Sequence, residues 1–164
     1  MIIVSDTTPL SELAKVGQMT LLRDIFGTIA IPQEVYREVT TGVHPAVGEV
    51  QAATWIEVRS VSDPQKIFDL HTTTQLHLGE CAAIILAQEL NAAQILIDER
   101  AARQVAESLN LAVIGTIGIL LLAKNRNLIS SVKELLDALM AEGMRISPRI
   151  YQKALKMAGE SSDP

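Results

Sequence analysis

Short apolar segments alternate with segments of helical periodicity along most of the chain, and this alternation constrains the fold more than any other feature. The apolar segments are IIVS, TIAIP, WIEVRSV, AQILID and LAVIG. Strands that alternate with helices predict a mainly parallel sheet with helices on both faces. We therefore expect an α/β fold, a three-layer α/β/α sandwich with a mainly parallel central sheet of four to five strands.

The length of the chain fits one domain with a single core. We expect residues 1–164 to form one domain, with 130–158 as a C-terminal helical extension. Two helical patterns, SVKELLDALMAEG and SPRIYQKALKMAG, follow the last predicted strand and make up that extension. The polar end GESSDP is expected to be disordered.

The composition excludes several classes of protein. The net charge is −5, from 14 Lys and Arg against 19 Asp and Glu, so a nucleic-acid enzyme would need divalent metal or a local basic patch. No run of about 18 apolar residues predicts a membrane span, and we expect no signal peptide. Cys81 is the single cysteine, which excludes an internal disulfide and fits the cytoplasm.

Two predicted strands end on a carboxylate, at Asp6 in IIVSD and at Asp98 in ILID. One interpretation of Asp6 is structural, because Asp6 to Thr8 can cap a helix that starts near Pro9, and these residues alone favour it. The other is functional, because the carboxyl ends of parallel strands share the edge where ligands usually bind. If the two strands are neighbours, the carboxylates lie close together, and a bound divalent cation would offset their repulsion.

Two further acids follow the same predicted edge. Glu80 lies in the first turn of the apolar helix LGECAAIILAQEL, where it also fits a favourable interaction with the helix N-terminus. Glu38 lies in PQEVYREV, on the face of Val35 and Val39, and a solvated position there is equally expected. Oxygen ligands that converge from several segments are what Mg²⁺ or Mn²⁺ requires.

The sequence resembles the PIN-domain family of metal-dependent ribonucleases, in particular the compact toxins of toxin–antitoxin pairs and a poorly characterised branch of them. The resemblance rests on IIVSDTTPLSEL, IPQEVYREV, LGECAAIILAQEL and ILIDERAARQVAESLNLAVIGTIGILLLAK, which span most of residues 1–126. The family pattern carried over by position implies the catalytic residues Asp6, Glu38, Glu80 and Asp98. Many relatives have Asp where this chain has Glu80.

The resemblance implies hydrolysis of RNA phosphodiester bonds with Mg²⁺ or Mn²⁺. Asp6, Glu80 and Asp98 would ligate the metal, and Glu38 would be an outer or second-metal ligand. The lesser candidates are Thr7, Thr8 and Glu99 for outer contacts with this site, and Arg100 and Arg103, with Lys15 and Arg37, for the RNA path.

The resemblance also implies a small antitoxin partner and a homodimer. The apolar segments TIGILLLAK and SVKELLDALM support a dimer, because they offer more Leu and Ile than one small sheet needs. Two alternatives remain open: a phosphotransfer domain with an aspartyl phosphoacceptor, and a PIN-like module that binds RNA or protein with little or no nuclease activity.

Overall fold

The computed structural model describes residues 1–161, which form a five-stranded, all-parallel sheet flanked by helices. The strands are β1 Ile3–Ser5, β2 Ile29–Pro32, β3 Ile56–Arg59, β4 Gln94–Leu96 and β5 Val113–Ile114. Their order across the sheet is β3-β2-β1-β4-β5. The predicted α/β/α fold is confirmed, and the sheet has five strands.

The described helices number ten. They are α1 Thr7–Lys15, α2 Thr20–Phe26, α3 Gln33–Val39, α4 Pro45–Ala52, α5 Pro64–Thr74, α6 Leu78–Glu89, α7 Arg100–Ser108, α8 Thr116–Asn125, α9 Val132–Ala141 and α10 Pro148–Met157. None of these helices, within residues 1–161, has the length and hydropathy needed to cross a membrane.

The strand order changes direction between β1 and β4, which are neighbours. Ser5 of β1 pairs with Leu96 of β4, and the next N–H, that of Asp6, donates to the Leu96 carbonyl oxygen at 2.9 Å. The chain runs from β1 to β2 and β3 on one side and from β4 to β5 on the other. The expected meeting of these two strand ends is therefore confirmed, at the kind of switch point where α/β sheets bind ligands.

Helix α6 lies in the interior of the molecule. Every residue from Gly79 to Ala87 is buried, so this helix is enclosed on all sides rather than on one stripe. Its Ala residues bring the backbone close to the sheet, and α6 contacts both β1 and β4. The first turn of α6 is thereby fixed against the strand ends.

The C-terminal helices pack back onto α8 and end in an ordered contact. Glu160, just beyond α10, accepts hydrogen bonds from the N–H groups of Val132 at 2.7 Å and Lys133 at 3.1 Å. The expectation that GESSDP is disordered is therefore wrong at Glu160, because its carboxylate binds the free N–H groups that begin α9. Residues 162–164 of that segment lie outside the described residues.

Candidate active site

Asp6 is buried without capping the helix that follows it. It lies directly before α1 and is only 4% exposed, but its side chain makes no capping hydrogen bond. Burial raises the pKa of Asp6 from 3.8 to about 7; the N–H of Thr7 opposes this rise, and the charges of nearby carboxylates add to it. Those carboxylates are Glu80, Glu38 and Asp98. The capping interpretation is wrong for this side chain, which is placed among other acids instead.

Glu80 combines a structural contact with a place in this acidic cluster. Its Oε1 accepts the N–H of His77 at 3.0 Å, which supports the start of α6, and the residue is 7% exposed. Burial is the main cause of its raised pKa; the His77 N–H opposes the rise, and the charges of Glu99 and Glu38 add to it. The helix-terminus role expected for Glu80 and its proximity to the other acids therefore both hold.

Asp98 is held by the first residue of α8. The N–H of Thr116 donates to its Oδ1 at 2.7 Å, and the Thr116 hydroxyl donates to its Oδ2 at 2.6 Å. Burial raises the pKa of Asp98, while these two bonds and the positive charge of Arg103 lower it, and the charge of Glu12 raises it. The capping expected of Asp6 is thus made by Asp98, at a different helix.

Glu38 lies at the rim of the cluster. The residue is exposed, as the solvated alternative expected, whereas Val35 and Val39 are fully buried; its carboxylate nevertheless approaches position 79 of α6, as the Val35 side chain does. A Cβ at position 79 would lie 2.7 Å from the Oε2 of Glu38. Glu38 therefore reaches the first turn of α6 from outside, and a side chain larger than that of Gly79 would displace its carboxylate.

Two groups that sequence reasoning missed face the same cluster. Thr116 orients Asp98, and Glu12 of α1 adds a negative charge near it. The Oε2 of Glu12 is buried without a hydrogen-bond partner, while its Oε1 pairs with Lys15 at 3.1 Å. Thr8 and Glu12 are four residues apart on α1 and therefore lie on one helix face. This spacing was the sequence signal that could have identified Glu12.

The expected outer residues fall into two groups. The hydroxyl of Thr7 is buried beside Asp6 and has no hydrogen-bond partner. The others, Thr8, Glu99, Arg100 and Arg103, line an open cleft of about 640 Å³ that Asp98 also lines. Arg37 lines a separate cleft of about 580 Å³, next to Glu38.

The chemistry of these residues fits a hard divalent cation. All the donors are oxygens, and within residues 1–161 none of Asp6, Glu38, Glu80 and Asp98 forms an ion pair with Lys, Arg or His within 4.0 Å. In that same part of the chain, no three side chains are placed to ligate one ion together. Mg²⁺ commonly keeps several waters and uses one or two carboxylates, so the cluster fits a hydrated ion. The unpartnered Thr7 hydroxyl is suited to bind such a water.

Comparison with known proteins gives one family. The model of the DUF3368 family, described as a PIN domain, matches residues 2–160. None of the curated proteins compared with the chain matches it.

Proposed function

The chain belongs to this PIN-domain family, whose members are generally nucleases that bind divalent metals, and from that premise we propose that it is an Mg²⁺- or Mn²⁺-dependent endoribonuclease. The family membership sets aside the phosphotransfer alternative. The RNA substrate, the metal and the site residues Asp6, Glu38, Glu80 and Asp98 are parts of this proposal.

The observation that carries the proposal is the state of Asp6. A buried carboxylate with no ion pair and no capping bond, among three other acids, destabilises the fold unless a proton or a cation neutralises it, and its raised pKa means that the metal-free site favours the proton. A divalent ion bound there would lower the pKa of a water molecule and neutralise charge that develops on the phosphoryl oxygens.

The residues of the chain would divide the remaining work. Asp6, Glu80 and Asp98 would hold a hydrated ion, one or two of them directly and the others through its waters, and Thr116 keeps Asp98 in one orientation. Glu38, at the exposed rim, would bind an outer water or a second ion. The hydroxyl of Thr7 would orient a water, while Arg100 and Arg103 would hold substrate phosphates beside Asp98.

The test is cleavage of a fluorescently labelled single-stranded RNA by the purified protein. We expect cleavage with Mg²⁺ or Mn²⁺, none with EDTA, and a loss of about 100-fold or more in Asp6→Asn. The matched control is Asp24→Asn, at an exposed surface pair on α2, which should cleave like the wild type. Equal cleavage by Asp6→Asn, or cleavage that persists in EDTA, would contradict the proposal.

A second candidate is a PIN-like module that binds RNA or protein with little or no nuclease activity. It is favoured by one observation: both carboxylate oxygens of Asp98 already accept hydrogen bonds from Thr116. If Asp98 only caps the start of α8, its role is structural and it does not bind a metal ion. Metal-dependent binding of RNA without cleavage would support this candidate over the nuclease.

We also propose that the protein is a cytoplasmic toxin, with a small antitoxin as partner and a homodimer as its assembly. The apolar excess of α8 and α9 that suggests a dimer is partly covered within one chain, because α9 and α10 pack on α8. Met140 of α9 and Leu128, which follows α8, remain exposed. Light scattering that shows a monomer would refute the dimer. Purification from the native host without a small partner chain would count against the antitoxin.

A further inference from the structure

The cleft that Asp98 lines is also lined by residues of the C-terminal extension. Helix α7 contributes Arg100 and Arg103, and β5 and the start of α8 contribute apolar residues. The segment between α9 and α10 contributes Arg145, and α10 contributes one face, which we call the α10 wall. Asp98 of the candidate active site therefore shares one cleft with the C-terminal extension.

The charge of this groove contrasts with that of the whole chain. The net charge is −5, yet four of the 14 cationic side chains line this one cleft: Arg100, Arg103, Arg145 and Lys153. Within residues 1–161, none of the four forms an ion pair within 4.0 Å. Cationic side chains next to a carboxylate cluster are suited to bind a polyanion, and they would place its scissile bond at the carboxylates.

The α10 wall also carries apolar side chains. Ile150, Lys153 and Met157 are three and four residues apart, so they share one helix face, and all three line the cleft. Ile150 is 50% exposed and Met157 is 66% exposed, whereas Ala154 and Leu155 of the same helix are buried. An exposed helix face that carries one cationic and two apolar side chains is suited to bind a nucleic-acid strand that offers both phosphates and accessible bases.

The wall is fixed to the rest of the protein at both of its ends. The hydroxyl of Tyr151, near the start of α10, donates to Asp137 of α9 at 2.7 Å. Beyond the other end, Glu160 accepts the N–H groups at the start of α9 and pairs with Lys124 at 3.2 Å. Lys153 and Met157 are therefore presented from a rigid support rather than from a free tail.

We propose that Arg145 and Lys153 bind the phosphates of single-stranded RNA, while Ile150 and Met157 contact its unpaired bases, so that the C-terminal extension is the far wall of the substrate groove. This inference rests on the proposed ribonuclease function and adds substrate-binding residues to it. A duplex keeps its bases stacked inside, so the apolar side chains favour a single strand.

The test is fluorescence anisotropy with a labelled single-stranded RNA in EDTA, where metal-dependent cleavage cannot occur. We expect Arg145→Ala/Lys153→Ala to weaken binding about fivefold to twentyfold. The slope of log affinity against log salt should fall by about 1.4, at ~0.7 per lost phosphate contact. The matched control is Arg149→Ala/Lys156→Ala, which removes two charges from exposed positions of the same helix that do not line the cleft.

The base contacts have a separate signature. Ile150→Ser/Met157→Ser should weaken binding of the single strand without changing the salt slope, and the duplex of the same RNA should bind more weakly to the wild type. Melting temperatures of all variants, compared with the wild type, identify any loss of fold.

Two outcomes would overturn the inference. The first is unchanged RNA binding by Arg145→Ala/Lys153→Ala. If that variant also cleaves RNA with Mn²⁺ at the wild-type rate, the nuclease proposal is unaffected. The second is binding of a polyglutamate peptide more tightly than RNA, lost in the same variant, which would assign the groove to an acidic protein segment. Weakened RNA binding by the variant, with no cleavage by the wild type, would support the wall and refute the nuclease.

Discussion

Asp6 links the stability of the metal-free protein to pH. Its pKa of about 7 in the fold lies above its ordinary value of 3.8, so the folded state binds this proton more tightly than the unfolded chain does. The stability that comes from protonated Asp6 is fully present below about pH 4 and is lost as the pH rises through about 7. Burial similarly raises the pKa values of Glu80 and Asp98, which act in the same direction.

We therefore predict that the free energy of unfolding in EDTA falls between about pH 4 and pH 8, and that Asp6→Asn shows a smaller fall. Urea denaturation at several pH values measures this directly, with Asp24→Asn as the control that keeps the wild-type slope. An Asp6→Asn variant with the same pH dependence as the wild type would show that Asp6 is not the buried, unpaired acid described above.

Gly79 offers a way to move Glu38 without changing it. Since a Cβ at position 79 would lie 2.7 Å from the Glu38 carboxylate, Gly79→Ala must displace that exposed side chain. The displaced atoms end a flexible chain, so we predict a change in stability within about 1 kcal/mol and a loss of RNA cleavage comparable to that of Glu38→Gln.

Gly48→Ala is the matched control for Gly79→Ala, because it makes the same change in helix α4, where a Cβ would contact nothing within 4 Å. Thermal unfolding and the RNA cleavage assay measure the two effects separately. Full activity in Gly79→Ala would remove Glu38 from the proposed site.

The strand-end pattern in the sequence was enough to predict that Asp6 and Asp98 follow neighbouring strand ends, because the rule that parallel strands share an edge needs no side-chain detail. It was not enough to assign capping, since that depends on side-chain rotamers. Thr116 escaped sequence reasoning because its contact with Asp98 joins residues 18 apart through the end of β5. The exposure of Glu38 likewise depends on how far α3 turns from α6, which periodicity does not specify.

At the scale of elements, Glu160 is the contact that ties α10 to α9. Its carboxylate accepts bonds from Val132, Lys133, Ser131 and Lys124, and although its partial burial acts in the opposite direction, these bonds lower its pKa from 4.5 to about 2. Because the folded-state pKa is the lower one, this stabilisation is present above about pH 4.5 and is lost as the pH falls through about 2.

We predict that Glu160→Gln destabilises the protein by about 1–3 kcal/mol at neutral pH, since charge-assisted hydrogen bonds at a helix N-terminus are lost. Glu142→Gln, an exposed change just after α9, is the control and should alter stability by less than about 0.5 kcal/mol. Urea denaturation of both variants at pH 7 checks the prediction; a Glu160→Gln variant as stable as the wild type would mean that the Glu160 hydrogen bonds do not stabilise the protein.

Most helices and strands were predictable because their apolar periodicity and terminal residues agree. The segment DPQKIFDLHTTTQLH is the one whose secondary structure the sequence leaves least defined. The structure resolves it as α5, where Pro64 occupies the first turn and Asp63 accepts the N–H of Gln65 at 3.1 Å. This Asp-Pro start was the local signal for a helix. WIEVRSV alternates apolar and polar residues, which predicts a half-exposed edge strand, and β3 lies at the edge of the sheet with three of its four residues exposed.

At the scale of the whole molecule, one cluster of buried apolar residues extends from Ile3 in β1 to Leu155 in α10. We therefore propose that residues 130–158 and the sheet belong to one domain, and we predict a single unfolding transition. Calorimetry and circular dichroism should give coincident midpoints. A separate early transition, sensitive to Glu160→Gln, would instead show that the extension unfolds by itself.

The central claim is that the carboxylates at the ends of β1 and β4 form a divalent metal site. The most direct measurement is titration of the purified, EDTA-treated protein with Mn²⁺, followed by the electron paramagnetic resonance signal of the free ion. We predict that the wild type and Asp24→Asn remove Mn²⁺ from solution with equal affinity, whereas Asp6→Asn binds it at least about tenfold more weakly, because the buried ligand charge is lost. A wild type that takes up no Mn²⁺, or an Asp6→Asn variant that binds it as tightly, would contradict the claim.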